Sequence, residues 1–93
     1  MELKKAINLM CEQANDFLTS NEKILISDLM AKVREIGEDI KAKVANESDR
    51  KKFDKFAMNF YVSTHLLSST EEVNCVSMAA ELLEKTMEWL EQS

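Results

Sequence analysis

The side chains able to do chemistry are few in this sequence. There is one histidine, His65, in the stretch YVSTHLLSST, and there are two cysteines, Cys11 and Cys75. An imidazole accepts a proton or a phosphoryl group. A thiol becomes a nucleophile or metal ligand once ionised. One histidine with two distant cysteines gives no zinc-ligand spacing, and one glycine cannot build a phosphate-cradling loop. Carboxylates recur at Glu81, Glu84, Glu88 and Glu91, but Glu81 and Glu84 on one helix do not by themselves make a catalytic metal cage. Cations cluster in DRKKFDKF, where Arg50, Lys51, Lys52 and Lys55 surround two phenylalanines. They stand where a helix should begin, an end that already carries partial positive charge. Such a cluster grips a phosphate backbone or pairs with acids elsewhere in the chain. No residue set points to catalysis, a cofactor or a bound metal, and the chain is read as a non-enzyme.

Three stretches invite comparison with known motifs. YVSTHLLSST loosely resembles the histidine phosphotransfer domains, helical bundles in which the histidine is followed by Leu-Lys-Gly. Leu67 and the small Ser69 fit that order, and Ser68 stands where the lysine belongs. The resemblance implies His65 as phosphoryl acceptor without the nearby cation such a group needs. Residues 79–89, AAELLEKTMEW, are similar to a stretch of the all-α nucleotide pyrophosphohydrolases, which hold Mg²⁺ with paired glutamates. Ser77 and Met78 occupy the positions of the earlier carboxylates, so no metal site carries over. ISDLMAKVREIGEDIKAKV has the outline of a helix-turn-helix, with Gly37 two residues late for the turn and no exposed base-reading set on the second helix.

The elements that must position these residues are helical. One glycine and no proline in 93 residues leave little material for the turns of sheets and barrels. Apolar residues make up 45% and charged residues 31%, a balance that suits a folded soluble domain rather than a disordered chain. Alternating three- and four-residue apolar steps mark four segments. They predict an all-α, antiparallel four-helix bundle with helices at about 2–18, 21–45, 49–67 and 70–91, forming one domain over 1–93. Thr19 and Glu22 form a capping box for the second helix. Its start has an alternative: Ile24-Leu25-Ile26 suits extended backbone, with Ser27 then capping a shorter helix. Gly37 either weakens that helix, bending it, or permits a close helix approach. The expected core stripes are Leu3, Ile7, Met10, Ala14 and Phe17; Ile26, Met30, Val33, Ile36, Ile40 and Val44; Phe53, Phe56, Ala57, Phe60, Thr64 and Leu67; and Val73, Val76, Ala80, Leu83, Met87 and Leu90. Cys11 and Cys75 are expected at similar heights on neighbouring helices.

Two segments carry more apolar surface than one stripe uses. With its core stripe inward, the third still projects Met58, Tyr61, Val62 and His65 outward. The fourth has a second stripe, Cys75, Met78, Leu82 and Trp89, roughly 140° from the first at 100° per residue. Either both helices sit centrally, or Met58, Tyr61, Val62, His65, Met78, Leu82 and Trp89 form a contact surface for a partner or a second copy. The expected function is therefore protein–protein interaction or regulation, as a homodimer or with a protein partner, in the cytoplasm and away from membranes. The alternatives are nucleic-acid binding through Arg50, Lys51, Lys52 and Lys55, and phosphotransfer at His65. Charge placement disfavours general nucleic-acid binding. Residues 1–67 carry 11 Lys/Arg and 11 Asp/Glu, whereas 68–93 carry six glutamates against Lys85, so the net charge of −5 lies in the last segment. In an antiparallel bundle the cations starting the third helix would lie beside Glu84, Glu88 and Glu91, which predicts an internal charge match.

Overall fold

The computed structural model describes residues 1–67 and 72–92, with side chains described for all of these except 63–67, 89 and 92. Four helices form: α1 (Leu3–Thr19), α2 (Ile26–Lys41), α3 (Glu47–Leu67) and α4 (Cys75–Gln92). Two three-residue strands, β1 (Lys23–Leu25) and β2 (Glu72–Asn74), precede α2 and α4. The fold is the expected all-α four-helix arrangement, with one small addition. β1 and β2 pair antiparallel, Ile24 opposite Val73, and the Cys75 N–H donates to the Glu22 carbonyl just beyond the pair. Each half of the chain is thus a helix–strand–helix unit, and the two units are tied together at one end of the bundle.

Successive helices run antiparallel. The long axis of 37 Å is close to the ~32 Å that a helix of α3's length spans at 1.5 Å per residue. α1 packs on the other three helices, and α3 does likewise. These two form the close diagonal, with α2 and α4 on its flanks. The core reflects that layout: Leu3, Ala6, Ile7, Met10, Ala14 and Leu18 from α1 meet Phe53, Phe56, Ala57 and Phe60 from α3. α3 is therefore central, although Met58 and Val62 stay exposed, and α4 lies on the flank.

The second and fourth helices begin later than their periodicity suggested. Of the two starts read for the second helix, the extended one holds at Ile24 and Leu25: Lys23–Leu25 is a strand, and α2 covers Ile26–Lys41 rather than 21–45. The β-branched Ile24 gains a strand partner there, which a helix would not supply. Thr19 and Glu22 form no capping box. Thr19, Ser20 and Asn21 instead close the end of α1, donating to the Asp16 and Phe17 carbonyls at 3.2, 2.9 and 2.9 Å. Ser27 is not a cap either; Leu25 holds that position without a side-chain hydrogen bond. α2 runs unbroken through Gly37, and its inward residues are Leu29, Val33, Ile36, Gly37 and Ile40, with Met30 only half-buried.

The fourth helix was expected from about residue 70. It starts at Cys75, where the Asn74 side chain accepts from the Val76 and Ser77 N–H groups at 3.0 and 3.1 Å, an N-cap of the ordinary kind. The capping boxes read into residues 68–72 fall largely outside the described residues. Asn46 caps α3 in the same manner through the Asp49 N–H at 3.1 Å.

Candidate functional site

The late start of α4 reverses which of its faces is inside. Val73 is buried, but as a strand residue opposite Ile24. Strand side chains alternate with period two, so Val73 does not fix the rotation of the helix that follows. Among the described residues from Cys75 onward, the buried side chains are Cys75, Met78 (0% exposed), Leu82 (2%) and Thr86. Met78 and Leu82, read as partner-binding, are core residues and offer no surface. Val76, Ala80, Leu83 and Met87, read as core, face outward, with Val76 78%, Leu83 63% and Met87 57% exposed. Leu90 continues the line half-buried. The Trp89 and His65 side chains lie outside the described residues.

Thr86 secures this orientation. Its hydroxyl donates to the Leu82 carbonyl at 2.7 Å and lies 2.6 Å from Cys11 Sγ on α1. Either atom can donate in the Cys11–Thr86 contact, which ties α1 to α4 at this height. Burial pushes the Cys11 thiol up to about 11, against a smaller opposing effect of the Thr86 bond, so the thiol keeps its proton at neutral pH. The Cys11–Thr86 register also separates the cysteines. Cys75 lies about 16 Å from Thr86 along α4, since eleven residues rise 1.5 Å each, and both thiols are free. The similar height expected for the pair does not hold.

Beside the outward stripe runs a groove between α1 and α4. Asn8, Cys11, Glu12 and Asn15 form one wall, with Ala79, Ala80, Leu83 and Thr86 opposite, around about 480 Å³. A further hollow of about 310 Å³ continues it past Leu18 and Thr19 to Val76. The small side chains of Ala79 and Ala80 leave this space open.

A second cleft, of about 630 Å³, lies between α2 and α3, where Met30, Arg34, Met58, Tyr61 and Val62 are among its lining residues. Here the expected surface is in place: Met58 is 60% and Val62 51% exposed, and Tyr61 is half-buried. Burial raises the Tyr61 hydroxyl above its usual range, partly countered by Arg34. The two apolar zones lie on different helix pairs rather than forming one surface.

The charge clusters do not meet. Among the described residues the ion pairs are Lys32–Glu35, Lys41–Asp54 at 3.1 Å, and Lys85 with Glu81 at 3.9 Å and Glu88 at 3.6 Å. Arg50, Lys51, Lys52 and Lys55 take part in none of these, and neither do Glu84 and Glu91. Among the described residues the expected match between the start of α3 and the end of α4 is absent as direct contact, and Glu88 pairs with Lys85 within α4 instead.

Helix–loop–helix halves also occur in calcium-binding motifs, which place oxygen ligands at alternating positions of a twelve-residue loop. The connection SNEKIL between α1 and α2 carries one carboxylate, Glu22, and does not supply that series. No described helix is long and apolar enough to cross a membrane. No protein-family model, curated protein or solved structure matches the chain.

Proposed function

We propose that this chain is a protein-interaction module that docks a partner on the outward face of α4, in a reducing cytoplasm where both thiols stay free. One observation carries the reading: Val76, Leu83 and Met87 stand exposed in a single stripe, with Ala80 between them, while the same helix buries a separate face in the core. Scattered surface leucines need no explanation, but an aligned apolar row beside a groove is how helices present docking sites. The exposed Met58 and Val62 line the separate α2–α3 cleft and are no part of this docking face. No catalytic step belongs to the proposal.

The test compares proteins captured from the native host by three baits: wild type, Leu83→Asp/Met87→Asp and Met58→Asp/Val62→Asp. A partner retained by wild type and by the Met58/Val62 variant, but lost from the Leu83/Met87 variant, supports the reading. A wild type that is monomeric at every concentration and retains nothing beyond the Leu83/Met87 variant overturns it.

An anionic ligand is the second reading, favoured by the exposure of Arg50, Lys51, Lys52 and Lys55 without an ion pair among the described residues. It expects low-salt binding of nucleic acid that disappears when the four become alanine. Titration at low salt with single- and double-stranded nucleic acid, showing no binding, ends it.

A further inference from the structure

The row on α4 steps from Val76 to Ala80, Leu83, Met87 and Leu90, at intervals of four, three, four and three residues. That is the spacing by which one helix presents a seam to another. A strand or loop laid along α4 would not match it. The groove toward α1 adds a recess beside the seam, floored by Ala79 and Ala80 and open to an inserted apolar side chain.

Charge around the seam narrows the occupant. At 100° per residue, Glu84 and Glu91 fall along the edge of the seam away from α1, and neither belongs to an ion pair among the described residues. Glu12 lines the opposite wall. Lys85, the one cation of α4, is turned toward Glu81 and Glu88, and Lys4 lies on the same stripe of α1 one turn before Asn8. The last turn of α4 has no basic residue, so the negative end of the helix dipole adds to the field of Glu88 and Glu91. These glutamates oppose the dipole of their own helix, and a cationic neighbour would relieve that.

We propose that the seam of α4 takes a basic amphipathic helix of a partner protein, its apolar residues on Val76, Ala80, Leu83 and Met87 and its Lys or Arg residues against Glu84, Glu91 and Glu12. A second copy of this chain fits less well. Two seams paired antiparallel would set Glu84 and Glu91 of one copy against the same residues of the other. Paired parallel, they would face Ala79 and Thr86, which carry no charge. This inference rests on the interaction reading above, and the test separates the two.

The probes are two synthetic peptides about three heptads long with the same leucine spacing, one with lysine and one with glutamate at every polar position. They are titrated into the full chain at low and high salt, alongside sedimentation of the chain alone. The lysine peptide is expected to bind and the glutamate peptide not. Glu84→Gln/Glu91→Gln should weaken binding roughly fivefold at low salt and flatten its salt dependence. Leu83→Asp should weaken it roughly thirtyfold or more, while Met58→Asp/Val62→Asp leaves it unchanged. Equal binding of both peptides, or no effect of the glutamine variant, overturns the charge assignment and leaves α4 a docking face. A dimer dissolved by Leu83→Asp makes the occupant a second copy and overturns the inference alone. Binding lost with Met58→Asp/Val62→Asp instead moves the site to the α2–α3 cleft and overturns it. No binding by either peptide overturns the inference, while the interaction reading stands or falls on the capture experiment above.

Discussion

Thr86 and Cys11 show how one polar contact fixes a register. The thiol shares a hydrogen bond with a hydroxyl that also donates to the Leu82 carbonyl, and burial raises the thiol from 9.0 to about 11. The unfolded chain therefore loses this proton at lower pH than the folded one. The contribution is present in full below pH 9 and is lost as pH rises toward 11. Urea midpoints of wild type should fall more steeply across that interval than those of Cys11→Ala, and parallel slopes would show that the thiol does not titrate as assigned. Gly37 supports a second prediction. A Cβ there would meet Tyr61 Oη at 3.6 Å and Met10 Cε at 3.8 Å, ordinary contacts that require no neighbour to move. Close helix approach is thus not what keeps a glycine in α2. Gly37→Ala should stabilise the fold by about 0.5–1 kcal/mol through helix propensity, read as a rise in melting temperature; a loss would mean that α2 and α3 pack more tightly at this point.

At the scale of elements, the rotation of α4 decides everything said about function. Two apolar rows of similar length share this helix, and each makes an acceptable core stripe on periodicity alone. Extending the helix back through Val73 favours the row that the structure exposes. The strand pair removes that extension, Asn74 restarts the helix, and Thr86 completes the buried row as a polar residue that a hydrophobic pattern passes over. Stability measurements separate the two rotations. Leu82→Ala or Met78→Ala should cost about 2–5 kcal/mol, whereas Leu83→Ser or Met87→Ser should change stability by no more than about 0.5 kcal/mol. The reverse ranking in denaturant unfolding would reverse the faces. Asn74→Ala should cost about 0.5–2 kcal/mol through the lost cap, and an unchanged midpoint would mean that α4 starts elsewhere. On α3 the same periodic reading held for Phe53, Phe56, Ala57 and Phe60, whose three phenylalanine rings fill the core while Met58 and Val62 face outward.

For the whole molecule, the separation of the charge clusters is the most testable feature. Arg50, Lys51, Lys52 and Lys55 start α3 without meeting Glu84, Glu88 or Glu91 in an ion pair, so neutralising both clusters should give additive stability changes within about 0.5 kcal/mol. Coupling beyond that in a double-mutant cycle would bring the clusters together in solution. The amino-acid sequence by itself determined the class and layout: one glycine, no proline and four periodic segments permit little besides an antiparallel helical bundle. It also located the surplus apolar surface on the third and fourth helices, and Met58 and Val62 on the outside. Tertiary structure decided which row of α4 faces solvent, how far the two cysteines lie apart, and that the charge clusters stand separate. The physical reason is common to all three. Periodicity is a property of one helix and fixes which residues share a face, but the rotation and register of that face are set by contacts distant in sequence: Ile24 with Val73, Cys11 with Thr86, and α1 with α3 across the core.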